Sequence, residues 1–194
     1  MKLSPQFQTA LTYAAEAHAG QVRKGTEIPY VSHLLIVAGI ALEFGADEEE
    51  AIAALLHDAV EDAGGKERLA DIQRRFGARV AKIVDGCTDT DVTPKPPWLE
   101  RKRQYVDHLR HEQDRSILLV SASDKLANAR AILADYHRIG EALWSRFSGD
   151  RQGTLWYYRS LADLFLEKGS APLAQELNRT VSLIETAANR DLRT

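Results

Sequence analysis

Leu55-Leu56-His57-Asp58-Ala59-Val60-Glu61-Asp62 places four groups able to bind a metal or move a proton within six residues. On an α-helix Glu61 follows His57 by one turn and Asp62 follows Asp58 by one turn. These side chains therefore project to one side, while Ile52, Leu55, Leu56 and Ala59 anchor the other. That spacing predicts a third helix from about Glu48 to Ala63, capped by Asp47 and ended by Gly64-Gly65. For the string alone, an exposed acidic helix end with one histidine is the competing reading.

The segments around it favour a site. His33 lies in Pro29-Tyr30-Val31-Ser32-His33-Leu34-Leu35, and Asp124 in Leu119-Val120-Ser121-Ala122-Ser123-Asp124-Lys125-Leu126. Each polar group sits in an apolar segment, and buried polar residues need partners. A cation shared between imidazoles and carboxylates is the simplest way to satisfy them. His33, His57, Asp58 and Asp124 make a mixed nitrogen and oxygen set suited to Mn²⁺, Fe²⁺ or Zn²⁺. The lone Cys87 supports neither a thiolate cage nor an intrachain disulfide and is read as a small buried apolar group.

Helical periodicity continues in both directions. Phe7, Ala10, Leu11, Ala14 and Ala15 follow a Ser4-Pro5 start, predicting a helix over 5–19. A Gly20 to Pro29 loop leads to a helix from about Val31 to Phe44. Further helices are expected over Lys66 to Phe76, Ala78 to Cys87, Leu99 to His111, Asp114 to Tyr136, Ile139 to Phe147, Thr154 to Glu167 and Pro172 to Asn189. Thr88 to Trp98, with three prolines, reads as a loop and a candidate lid. No alternating run is long enough for a sheet. The expected fold is all-α, one domain over residues 1–194 with about eight to ten helices.

Composition narrows the partners. The 194 residues carry 44% hydrophobic and 27% charged side chains, as in an ordinary globular domain. No apolar run approaches the roughly 20 residues that span a bilayer, so no membrane partner is expected. Met1 to Gln6 lacks the apolar core of a secretion signal, which makes the cytoplasm the expected compartment. A net charge of −3 argues against a nucleic-acid partner. It leaves room for an anionic small molecule met by Arg23-Lys24 or Arg101-Lys102-Arg103, although each basic cluster alone reads as solvated surface.

The order of these motifs resembles the HD-domain superfamily of metal-dependent phosphohydrolases. More finely, it resembles the hydrolase domain of RelA/SpoT homologues and the stand-alone small alarmone hydrolases, including the metazoan type. The resemblance rests on Arg23-Lys24-Gly25 with Pro29-Tyr30-Val31-Ser32-His33, His57-Asp58-Ala59-Val60-Glu61-Asp62, Glu100-Arg101-Lys102-Arg103 and Asp124-Lys125-Leu126-Ala127-Asn128. Together these span about residues 18–160; Trp156-Tyr157-Tyr158-Arg159 fits more loosely.

The resemblance implies hydrolysis of the 3′-pyrophosphate of guanosine tetra- or pentaphosphate, giving GDP or GTP and pyrophosphate, with Mn²⁺ as the usual ion. It implies that His33, His57, Asp58 and Asp124 hold the metal and that Glu61 and Asp62 handle water and protons. Arg23, Lys24 and Lys102 would meet phosphates, while Asn128 and Tyr157 would line the nucleotide pocket. The chain ends before a synthetase or regulatory domain would fit, so degradation without synthesis is expected. The chemistry is consistent: a polyphosphate repels hydroxide, and cations must offset that charge. Other readings are an adenosine alarmone hydrolase, an NADPH 2′-phosphatase, or a non-catalytic nucleotide-binding or antitoxin-like module.

Several residues carry weaker expectations. His18 is read as capping carbonyls at a helix end, and His108, His111 and His137 as solvated. Trp98 and Trp144 are read as packing residues, and Trp156, beside Tyr157, as either a packing residue or a base-stacking platform. Asp89 and Asp91 are assigned to a solvated loop, and the direction of Lys125 is left open.

Overall fold

Ser4 accepts the backbone N–H of Gln6 at 3.1 Å and starts α1 (Pro5–Ala17), with proline in the first turn. The structure, a computed structural model, describes residues 2–62, 64–90, 94–169 and 171–190, with backbone alone for Asp62 and Ala171. Ala63 and Asp91 lie outside that set. The chain folds as two compact units, the first formed by residues up to Pro96 together with Gln113–Ser123, the second by Pro97–Glu112 and the chain from Asp124 onward.

In the first unit α2 (Val31–Glu43) and α3 (Glu48–Leu56) pack together, and α3 also meets α1 and α6 (Ala78–Cys87). Every α3 residue from Ala51 to Leu56 is buried, as expected of a helix apolar on all sides. Asp47 and Glu50 close a reciprocal capping box at its start, each side chain accepting the other's backbone N–H. The unit is completed by α4 (Ala59–Asp62) and α5 (Gly65–Phe76).

The third helix differs from its predicted course. It stops at Leu56, His57-Asp58 form a turn, and α4 resumes for four residues. His57 keeps right-handed helical angles, φ −59° and ψ −31°, but its Nδ1 donates to the Ala54 carbonyl at 2.8 Å. In a continuous helix that carbonyl would take the N–H of Asp58. The imidazole competes with the backbone for it, and the ladder breaks there.

In the second unit α7 (Trp98–His111) and α10 (Ala171–Arg190) each pack on α9 (Asp150–Glu167), and α8 (Arg115–Ile139) contributes its residues from Asp124 onward. Gly140–Arg146, predicted as α-helix, winds as a 3₁₀-helix ahead of α9. Arg159 ties α9 to α10 through Glu185 at 2.6 Å and Asn178 at 2.7 Å. Among the described residues the only pairing of β type is an isolated antiparallel bridge between Val22 and Pro29. The fold is all-α, as the periodicity predicts, and no described helix is long and apolar enough to cross a membrane.

Candidate metal centre

His57 sits where α3 ends, and the break in the helix aims its ring. Because a carbonyl only accepts, the bond from Nδ1 to Ala54 O puts the proton on Nδ1 and the lone pair of the neutral ring on Nε2. Asp58 Oδ2 lies 3.0 Å from that Nε2 and 3.5 Å from Nε2 of His33. The two imidazole rings meet edge to face at 5.3 Å. One ligand atom from each of His33, His57 and Asp58 falls within 4.8 Å of the others. Both histidines are 3% exposed, so close packing leaves the rings little room to move.

This donor set fits a divalent ion. Two imidazole nitrogens and one carboxylate oxygen converge, and a bond to the backbone fixes the tautomer of His57. Asp58 is steadied in turn by Tyr30, whose hydroxyl donates to Oδ2 at 2.7 Å.

Of the other predicted groups in the first unit, Glu61 accepts from Lys95 Nζ at 2.8 Å, which brings the rim of the predicted lid to α4. The Asp62 side chain lies outside the described residues. Arg23 places its guanidinium 5.9 Å from the centre of the Tyr30 ring, and Lys24 is exposed. His18 differs from expectation: its buried ring donates from Nδ1 to Gln21 Oε1 at 2.7 Å and stacks on Tyr30, while the helix-end carbonyls are met by backbone N–H groups.

In the second unit Asp124 is 5% exposed, and both its carboxylate oxygens are engaged. Oδ1 accepts from Asn128 at 2.6 Å, one turn along α8, and Oδ2 accepts from Lys125 at 2.6 Å. Lys125 also lies 4.8 Å from the centre of the Tyr105 ring. Burial opposes its charge, but the Asp124 carboxylate, with Tyr105 and Tyr157 nearby, holds the ammonium well above its ordinary range. Lys102 sits 5.0 Å from the centre of the ring of Tyr157, which is buried. The exposed His108, His111 and His137 and the buried Cys87 and Trp144 match expectation; Trp156 is 37% exposed beneath the Arg103 guanidinium.

Against known families, the model described as "HD domain" matches residues 10–155. The chain belongs to the HD-domain family. A guanosine-3′,5′-bis(diphosphate) 3′-pyrophosphohydrolase, MESH1 of Danio rerio, is 40% identical over 138 residues, covering 70% of this chain and 71% of that protein. An enzyme of the same activity name from Aquifex aeolicus is 38% identical over 128 residues, 66% of this chain but 18% of that protein. This HD-domain chain thus spans under a fifth of the long bacterial relative. A solved structure described as a metazoan ortholog of SpoT that hydrolyzes ppGpp superposes with a TM-score of 0.74 at 28% identity, covering 93% of this chain and 96% of that one. The likeness to alarmone hydrolases read from the motifs holds.

Among the described residues of this HD-domain protein, Tyr30, Lys95 and Lys125 touch predicted groups without having a role assigned from sequence. Lys125 adjoins its partner, and a lysine in an apolar helical stretch beside a carboxylate was the available signal.

Proposed function

We propose that this chain is a metal-dependent hydrolase that removes the 3′-pyrophosphate of guanosine tetra- or pentaphosphate, releasing GDP or GTP and pyrophosphate. The observation that carries the reading is the convergence of His33, His57 and Asp58, with the His57 tautomer fixed by Ala54, in a chain 40% identical over 138 residues to a named pyrophosphohydrolase. Residues 1–194 act as one hydrolase domain in this reading. Asp124 is the fourth metal ligand, Mn²⁺ is the ion and the cytoplasm is the compartment.

A divalent ion bound there supplies Lewis acidity, polarising a phosphoryl oxygen and lowering the pKa of a water. The remaining work belongs to side chains. Arg23 offers paired hydrogen bonds to phosphate oxygens, and Lys24 and Lys102 act as point charges. Tyr157, already facing a cation, and Asn128 receive the nucleoside. Glu61 and Asp62 exchange protons: water delivers its OH to the phosphorus, the P–O bond to the 3′-oxygen breaks, and that oxygen leaves with a proton. Asn128 also holds Asp124, so its substitution acts on both nucleotide and metal.

The test is a product assay with the purified chain and Mn²⁺ on guanosine tetraphosphate, its adenosine counterpart, NADPH and simple mononucleotides. Pyrophosphate released from the guanosine compound is the expected result. Orthophosphate release from NADPH or mononucleotides in its place assigns a phosphatase on the same scaffold. No turnover of any compound, with nucleotide binding retained, makes the chain a binding module.

A further inference from the structure

Tyr30 is fixed on several sides. Its backbone N–H donates to Gln21 O at 2.9 Å, across the short antiparallel bridge that closes the Gly20–Pro29 loop. Its carbonyl accepts the N–H of His33 at 2.9 Å, which ties it to the start of α2. The His18 imidazole stacks on its ring with centroids 5.0 Å apart and planes 20° from parallel. His33 meets the ring edge at 5.6 Å. A side chain so confined has little freedom left to lose, and it points its hydroxyl at one atom, Oδ2 of Asp58, at 2.7 Å.

That atom is also the Asp58 oxygen near both imidazoles, 3.0 Å from His57 Nε2 and 3.5 Å from His33 Nε2. Asp58 lies in the turn between α3 and α4, and its side chain is 21% exposed against 2% for each histidine. Of the three donors in this unit it is the one least held by packing. A carboxylate in a turn can swing about its side-chain torsions. A fixed hydroxyl selects the orientation that presents Oδ2 to the imidazoles.

We propose that Tyr30 is a positioning residue for the metal site: its hydroxyl, braced by the stacked His18 ring, orients the Asp58 carboxylate for the ion. The proposal rests on the reading that His33, His57 and Asp58 hold a divalent cation. Groups that orient ligands from behind are worth about 10- to 100-fold in metal affinity. The hydroxyl acts through Asp58 and touches no substrate atom in this account. His18 is thereby assigned a role as a brace, which accounts for a buried ring at the end of α1 that is itself held by Gln21.

The decisive variant is Tyr30→Phe, which keeps the ring and its stacking and deletes only the hydroxyl. Mn²⁺ alone is the probe, titrated into the full chain and followed by the paramagnetic resonance of free Mn²⁺. Binding is expected to weaken about 10-fold or more, with the metal-free melting temperature unchanged, and turnover is expected to return at saturating Mn²⁺. His18→Ala should weaken binding by no more than Tyr30→Phe, and the double variant no further than Tyr30→Phe alone. Wild-type affinity in Tyr30→Phe overturns the proposal. Lost turnover at saturating Mn²⁺ with unchanged affinity also overturns it and places the hydroxyl in the chemical step. Losses that add in the double variant remove His18 from the pathway. A wild-type chain that binds no Mn²⁺ refutes the underlying metal reading, a result distinct from a failure confined to the variants.

Discussion

Lys95 and Glu61 meet at 2.8 Å with 42% and 20% of their side chains exposed. A pair so open to solvent contributes at most about 1 kcal/mol to stability, so its interest lies in the charge it sets beside a proposed proton carrier. Glu61→Gln keeps the size and most hydrogen bonds of that group while removing its proton exchange. Steady-state turnover is expected to fall about a hundredfold, with Mn²⁺ affinity retained. Normal turnover would make Glu61 structural, and loss of the ion would make it a ligand. His33, His57 and Asp58 were legible from the sequence because each is a ligand type set in an apolar stretch. Tyr30 and Lys95 were not, because their partners lie 28 and 34 positions away and no local spacing encodes a hydrogen bond from a loop to a helix end.

Helices in this chain are placed by periodicity and tuned by single close approaches. Trp98, the first residue of α7, lays its indole against the start of α9; a Cβ on Gly149 would come within 2.5 Å of the ring and one on Gly153 within 2.9 Å. Gly149 has an ordinary φ of −90°, so the requirement there is space. Gly149→Ala is therefore expected to destabilise the chain by about 1–3 kcal/mol through overpacking. Urea unfolding with an unchanged slope is the measurement, and an unchanged midpoint would show that the indole shifts at no cost. Most helix spans were readable because caps and apolar spacing are local. The break at His57 was not, since it depends on an imidazole taking a carbonyl that periodicity assigns to the backbone. The 3₁₀ winding of Gly140–Arg146 was likewise hidden, because so short a segment carries too few apolar positions to separate the two helical periods.

For the molecule as a whole, the proposed ligands His33, His57, Asp58 and Asp124 come from sequence positions that unfolding disperses. An ion gathered by all four binds the folded chain and has almost no affinity for the unfolded one, so metal binding and folding stability are linked. Mn²⁺ at about 100 times its dissociation constant should add about 2.7 kcal/mol to stability, and a chelator should remove that increment. Asp124→Ala discriminates between ligand and bystander. Its carboxylate anchors Asn128 and Lys125, so the variant will lose some stability without metal. The informative quantity is the Mn²⁺ concentration at which the melting temperature begins to rise. If Asp124 is a ligand, the rise is expected to start at much higher Mn²⁺ than in wild type, with elemental analysis showing little retained metal. If both proteins rise in parallel from the same concentration, Asp124 serves packing alone, and the ion is held by the donors at the α3–α4 turn and His33.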